Sequence, residues 1–178
     1  MVSKISLGKL KKAMEASEEE RERCISLSRK LTKKSKEAIY LVHRGELRKA
    51  VKILIDVRKQ LKKLPNHGFS PAYEEYAEAK LFSYFVQKKR VLSFDQLNVG
   101  AENYIGGLSD LTGELARRAV LLGIKKEKKE IEIIRDAVDS IHGELLKIHF
   151  RNGELRRKYD SIKWNLEKIE KILYDVRT

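Results

Sequence analysis

The segment Gly106-Gly107-Leu108-Ser109-Asp110-Leu111-Thr112-Gly113-Glu114-Leu115-Ala116-Arg117-Arg118 combines a helical apolar repeat with two carboxylates. Apolar residues recur every three or four positions, as on one face of an α-helix: Tyr104, Leu108, Leu111, Leu115, Ala119 and Leu122. Asp110 and Glu114 lie on the flank of this stripe, one helical turn apart. Gly107 lies beside them and leaves room for a close approach to the carboxylates. The alternative is an ordinary helix surface, with Glu114 paired to Arg118 and Asp110 solvated.

A second acidic pair, Glu75 and Glu78, is found three residues apart in the segment 73–82. On a helical projection the two glutamates share an arc with Ala79, Phe82, Phe85 and Val86, and a second apolar arc carries Tyr73, Ala77, Leu81 and Tyr84. A helix that is apolar on two sides is largely buried, and buried carboxylates are costly unless they are paired, protonated or bound to a metal. The alternative is that Glu74 and Glu75 simply lie in the first turn, where the helix dipole favours acids. It explains Glu75 better than Glu78.

Two helices that each offer two inward carboxylates can together supply four oxygen ligands, as helix bundles do at their metal sites. Hard divalent cations such as Mg²⁺ or Mn²⁺ prefer oxygen ligands. Whether the two pairs face one another is decided by tertiary packing and cannot be read from spacing. The sequence carries no motif for other kinds of site. The spacing of the histidines does not suit zinc, and no Walker loop, dinucleotide fingerprint or nucleophile elbow is present. The histidines are His43, His67, His142 and His149.

Several segments are similar to those of one known protein family. Gly107-Leu108-Ser109-Asp110-Leu111-Thr112-Gly113-Glu114-Leu115 is similar to its signature. Tyr76-Ala77-Glu78-Ala79, with Phe82 and Phe85, resembles the preceding helix. Ser28-Arg29-Lys30-Leu31-Thr32, Ser35-Lys36 and Leu41-Val42-His43-Arg44 resemble its N-terminal helix. The family is that of translin and translin-associated factor X (TRAX), and the resemblance covers the chain from roughly Glu19 onward.

This resemblance implies an all-α, translin-like bundle of about seven helices that assembles into an octameric shell around RNA or single-stranded DNA. TRAX-type members carry a metal-dependent endoribonuclease site of four carboxylates, which correspond here to Glu75, Glu78, Asp110 and Glu114. All four positions are acidic, so the chain resembles the catalytic type. It lacks the long insertion that TRAX has before the Asp-Leu-Thr-Gly-Glu segment, which implies a self-sufficient homo-octamer that needs no separate subunit.

Composition agrees with a nucleic-acid partner. The 178 residues are expected to form a single domain, 1–178, and 39 Lys+Arg against 26 Asp+Glu give a net charge of +13. A basic chain favours a polyanion or an anionic membrane surface. Cys24 is the single cysteine, which excludes an intramolecular disulfide and fits a cytoplasmic location. No apolar run approaches the length that spans a bilayer, so no membrane partner is expected.

The first and last helices are predicted to be long, at Ser17–His43, with a possible start near Leu7, and at Glu154–Val176. The helices between them are predicted at Glu46–Leu64, Ser70–Arg90, Ser93–Leu97, Ala101–Leu122 and Lys126–His142. Ser70-Pro71 is expected to start the third helix, Ser93 to cap the fourth and Gly123 to end the fifth. The last helix has a heptad seam: Leu155, Tyr159, Ile162, Leu166, Ile169, Leu173 and Val176. Trp164 and Ile172 lie off this seam and suggest a second contact surface. Burial within a monomeric bundle and oligomerisation remain equally open.

The first helix carries a basic face composed of Arg29, Lys30, Lys33, Lys34 and Lys36. Such a face is either a solvated surface or a phosphate-binding one. The predicted function is metal-assisted hydrolysis of single-stranded RNA, with Mg²⁺ or Mn²⁺ held by the four carboxylates. Asp110 and Glu78 are the expected direct ligands, and Glu75 and Glu114 are expected to be ligands or a general base. The alternatives are a non-catalytic shell that binds single-stranded RNA or DNA and a purely structural coiled-coil protein.

Overall fold

The computed structural model describes residues 7–65, 70–151 and 153–177, and within them the chain forms seven α-helices and no strand. The helices are α1 (Leu7–His43), α2 (Leu47–Leu61), α3 (Pro71–Lys88), α4 (Phe94–Leu97), α5 (Ala101–Ile124), α6 (Lys128–Leu145) and α7 (Glu154–Arg177). The predicted all-α class and the long terminal helices are confirmed. His67 lies outside the described residues.

Local sequence explains where several helices begin. Ser70 is extended and precedes Pro71 at the first position of α3, where a missing N–H costs nothing. Ser93 forms a capping box with Gln96 at the start of α4. The prediction that Gly123 ends α5 is wrong, because the helix continues to Ile124. A side chain at position 123 would lie 2.9 Å from Ile172 Cγ2, so this glycine serves helix packing instead.

The centre of the fold is the pair α3 and α5. Helix α3 packs against α1, α2 and α5, and α5 also packs against α6 and α7. Gly107 brings the two central helices close: a Cβ there would lie 2.7 Å from Ala77 Cβ, 2.8 Å from the Glu78 nitrogen and 2.9 Å from the Glu74 carbonyl oxygen. Two of these atoms are backbone, so the backbones themselves meet. The glycine that the sequence analysis assigned to ligand access therefore serves helix–helix contact.

The heptad seam of α7 is used inside the domain. Tyr159, Ile162, Ile169 and Leu173 are buried against the core, where α7 packs on α5 and α6. Trp164, by contrast, is 68% exposed. Residues 7–23 of α1 are also exposed throughout, including a stripe formed by Leu7, Leu10 and Met14. In the described part of the chain, no helix has the length and apolar character needed to cross a membrane.

Candidate functional site

The four predicted carboxylates line one cavity of about 540 Å³. Helix α3 contributes Glu75 and Glu78, and α5 contributes Asp110 and Glu114. The close contact at Gly107 brings these two helix faces together. Helices α1 and α7 provide further walls, and the remaining lining residues are Lys36, Ile39, Tyr40, Ser109, Gly113, Arg117, Ser161 and Asn165. The tertiary packing therefore places both acidic pairs at one cavity.

Glu78 is the most deeply placed of the four, with 9% of the residue exposed. Burial raises its pKa to about 9, and the neighbouring charges of Asp110, Glu75 and Glu114 act in the same direction. Among the described residues, no side chain gives Glu78 a hydrogen bond or an ion pair. Without a cation in the cavity, this carboxyl group therefore holds a proton at neutral pH.

Asp110 is bound to a cation that the sequence analysis missed. Lys158 of α7 donates hydrogen bonds to Asp110 and to Glu74 Oε1, the latter at 2.9 Å. Burial lowers the pKa of Lys158, but its bonds to the two carboxylates outweigh that effect and raise it overall. Lys158 is therefore a fixed positive charge that joins α7 to both central helices.

Glu74 was also missed, because acids in a first helical turn are explained by the helix dipole. It is 5% exposed, and burial raises its pKa against the opposing effect of Lys158. Its Oε2 atom has no hydrogen-bond partner. A Cβ at Gly106 would lie 1.9 Å from this oxygen, so a side chain there would force the Glu74 carboxylate to move. The consecutive glycines at 106 and 107 were the signal of this close packing.

Glu114 contacts two basic side chains at its end of the cavity. His43, at the end of α1, forms a hydrogen bond through Nε2 with a Glu114 oxygen, and its ring packs on Phe82 with centroids 4.7 Å apart. Arg117 lies 3.8 Å from the same carboxylate, so the expected Glu114–Arg118 pair is replaced by one at i+3. The buried His43, with 5% of its side chain exposed, orients Glu114 from behind.

Glu75 lies at the edge of the cavity nearest α1. Lys36 approaches its Oε1 atom to 3.1 Å, while Glu75 Oε2 is buried without a hydrogen-bond partner. Tyr40 follows one turn later on α1, lines the cavity and is 54% exposed. The mouth of the cavity thus combines a lysine, an arginine and an exposed aromatic ring around an acidic interior.

Three of the four acids are bound to basic side chains of the protein. Across residues 7–65, 70–151 and 153–177, no three His, Cys, Asp or Glu side chains stand in an arrangement that holds a metal ion. Lys158 binds Asp110, His43 binds Glu114 and Lys36 binds Glu75, which turns the carboxylates toward separate partners. The structure thus brings the predicted ligands to one cavity without closing them around a common point.

Two residues of the predicted basic face of α1 form ion pairs with neighbouring helices. Lys34 forms an ion pair with Asp56 of α2 at 2.5 Å, and Lys36 pairs with Glu75 of α3. Arg29, Lys30 and Lys33 are exposed. The exposed part of this face therefore leads along α1 toward the mouth of the cavity.

The family follows from this fold and from the chain itself. Residues 19–178 match the Translin family model, and the chain belongs to this family. It is 25% identical to the translin-associated protein X homolog of Schizosaccharomyces pombe over 193 residues, which cover 92% of this chain and 84% of that protein. Among solved structures, apo-NeC3PO superposes with a TM-score of 0.85 at 25% identity and covers 99% of this chain and 100% of its own. AfC3PO, solved in complex with duplex RNA, superposes with a TM-score of 0.86 at 23% identity, and 97% of each chain is covered.

Proposed function

We propose that this protein is a metal-dependent endoribonuclease that cleaves single-stranded RNA within a homo-oligomeric shell. The observation that carries the proposal is the convergence of Glu75, Glu78, Asp110 and Glu114 on one cavity, with Glu78 left without a protein cation. A phosphate-binding surface gains nothing from buried acids, since they repel phosphate. Clustered carboxylates are instead the ligands of hard divalent cations.

The donor set fits Mg²⁺ or Mn²⁺. All four side chains offer carboxylate oxygen, and Glu75 Oε2 is buried without a partner. Burial and, after it, the neighbouring acids raise the pKa of Glu78, and a bound cation would offset both effects. When bound, such an ion would supply the positive charge that polarises a scissile phosphate and acidifies an attacking water. The helices hold all four acids around this one cavity.

The chain's own residues supply the remaining requirements of the reaction. Asp110 and Glu78 would hold the ion, and Glu75 or Glu114 would accept a proton from water at the scissile phosphate. His43 keeps Glu114 oriented through its hydrogen bond. At the mouth, Lys36 and Arg117 are placed to bind the flanking phosphates once they exchange their carboxylate partners for RNA.

Single-stranded RNA suits the mouth of the cavity better than a duplex does. Tyr40 is exposed there and offers a ring on which an unpaired base can stack. The exposed Arg29, Lys30 and Lys33 extend a positive path along α1, in keeping with the net charge of +13. AfC3PO was solved with duplex RNA, so a duplex is the natural competitor substrate in any assay.

The shell is proposed to be a homo-octamer that needs no second kind of subunit and works in the cytoplasm. The exposed stripe of Leu7, Leu10 and Met14 and the exposed Trp164 support assembly, because isolated domains seldom leave such apolar side chains uncovered in groups. Enclosure also confines cleavage to strands that can reach the interior.

A non-catalytic RNA-binding shell is the second candidate. It is favoured by the ion pairs of Asp110 with Lys158 and of Glu75 with Lys36, together with the hydrogen bond between Glu114 and His43. In that function the acids only connect helices. The variant Asp110→Asn distinguishes the two candidates. RNA binding should persist in both, but only the enzyme has a cleavage activity to lose.

Labelled single-stranded RNA, incubated with Mn²⁺ or with EDTA, tests the proposal. We expect internal cleavage in Mn²⁺ alone and its loss in Asp110→Asn, while RNA affinity is kept. Asp139→Asn is the matched control, because Asp139 is exposed on α6 and outside the cavity. RNA binding without cleavage in Mn²⁺ would favour the non-catalytic shell. Cleavage that persists in EDTA, or equal cleavage by Asp110→Asn, would overturn a catalytic metal site at the four acids.

A further inference from the structure

Lys158 contacts Asp110 from outside the acidic cavity. It lies on α7, where only 20% of its side chain is exposed, and neither Lys158 nor its partner Glu74 lines the cavity. Its ammonium group joins Asp110 to Glu74, whose side chain is 7% exposed. Asp110 is thus shared between the cavity on one side and a buried ammonium–carboxylate pair on the other.

A fixed positive charge in contact with Asp110 repels any cation that this carboxylate binds. Charges a few ångströms apart interact strongly when water is largely excluded, and a divalent ion feels twice the effect of a monovalent one. Glu74, which also pairs with Lys158, offsets part of that charge. The same ammonium stabilises the metal-free site, since it pairs with the buried Glu74 and with the partly buried Asp110.

We propose that Lys158 sets the affinity of the carboxylate site for its divalent ion, by competing with that ion for Asp110. The inference rests on the proposed function, because it requires a metal site at the four acids. In the metal-free protein, Lys158 holds Asp110 toward α7. When a divalent ion enters, Asp110 turns to the ion and Lys158 stays with Glu74.

Competition and a purely structural role predict opposite changes in the Mn²⁺ affinity of Lys158→Gln. If Lys158 competes, Lys158→Gln binds Mn²⁺ more tightly, by about tenfold or more, because a repelling charge has gone. Glu74→Gln binds Mn²⁺ more weakly, because Lys158 then acts on Asp110 without an offset. The double variant returns toward the wild-type affinity. If Lys158 only fixes the position of Asp110, then Lys158→Gln weakens Mn²⁺ binding instead.

The test is a titration of each purified protein with Mn²⁺, in which free Mn²⁺ is measured by electron paramagnetic resonance. Lys163→Gln is the matched control, since it removes an exposed lysine from the same helix, and its affinity should stay within about twofold of wild type. Melting temperature without metal should fall for Lys158→Gln, because Asp110 and Glu74 lose their shared partner. If that variant fails to fold, the double variant is compared with Glu74→Gln and must bind Mn²⁺ more tightly.

The possible results separate this inference from the proposed function. Tighter binding by Lys158→Gln supports both. If the wild type binds Mn²⁺ and Lys158→Gln binds it equally or more weakly, the competition is overturned but the metal site is not. Absence of Mn²⁺ binding in the wild type and in Lys158→Gln overturns both.

Discussion

Replacing Gly107 with alanine tests the close contact on which the cavity depends. The added methyl carbon would lie 2.8 Å from the Glu78 nitrogen and 2.9 Å from the Glu74 carbonyl oxygen, both backbone atoms of α3. Ordinary contacts of a Cβ begin near 3.4 Å. Since backbone inside a helix cannot swing aside, α3 and α5 must separate by roughly half an ångström.

The direction of the effect is informative because alanine normally stabilises a helix. Gly→Ala inside a helix contributes about 0.5–1 kcal/mol of stability through chain entropy alone. Overpacking a core costs about 1–3 kcal/mol. The expected net loss for Gly107→Ala is therefore about 1–2 kcal/mol, or roughly 2–8 °C in melting temperature for a chain of this size.

Thermal unfolding by circular dichroism, with Gly113→Ala as the matched control, measures this loss. Gly113 lies in the same helix, but a Cβ there would meet only Asn165 Nδ2, at 3.8 Å. We expect Gly113→Ala to melt at or above the wild-type temperature. A Gly107→Ala protein that is as stable as wild type, or a Gly113→Ala protein that loses as much, would refute the close contact of α3 and α5.

Three further outcomes are expected. Because the pKa of Glu78 is about 9 in the folded protein against 4.5 ordinarily, the folded chain binds more protons between these values. Stability in EDTA should therefore fall as pH rises through that window, by up to about 1.4 kcal/mol per pH unit, and less steeply in Glu78→Gln, as a series of melts would show. Affinity for single-stranded RNA should fall with salt, and Lys33→Glu should reduce the slope by about 0.7 for one lost phosphate contact; an affinity indifferent to salt would speak against a phosphate-binding face. Light scattering should give a mass several-fold above the 20.7 kDa subunit, and Trp164→Glu should lower it; a monomer at micromolar concentration would contradict assembly.

The fold class and the positions of most helices could be predicted from the sequence, because they depend on local hydrophobic periodicity and on helix-capping residues. Ser70-Pro71 and the capping box at Ser93 gave the starts of α3 and α4. The error at Gly123 has a tertiary cause: the glycine accommodates Ile172 of α7, a contact that spacing within α5 cannot reveal.

The candidate site was predicted in its acidic part only. Glu75, Glu78, Asp110 and Glu114 stand out through their spacing on apolar helices. Their partners are supplied by other helices at large separations along the chain, as Lys158 is 48 residues from Asp110 and His43 is 71 from Glu114. A lone lysine on an exposed-looking helix turn carries no local signal of such a role.

The burial of Glu74 has no local signal in the sequence. An acid in the first turn of a helix is accounted for by the helix dipole alone. The structure buries it against Gly106 and pairs it with Lys158. The cue in the sequence was the glycine pair at 106 and 107, which signals that another chain segment comes close.

The most direct measurement of the metal-site hypothesis is the Mn²⁺-dependent cleavage of single-stranded RNA by Glu78→Gln. Glutamine matches the protonated Glu78 carboxyl in size and charge, so at neutral pH in EDTA the variant should fold and melt at or above the wild-type temperature. It cannot supply the ionised oxygen that a divalent cation requires, so cleavage should fall by about 100-fold or more while RNA affinity is kept. Cleavage at the wild-type rate by a folded Glu78→Gln protein would contradict the assignment of the four carboxylates to a catalytic metal.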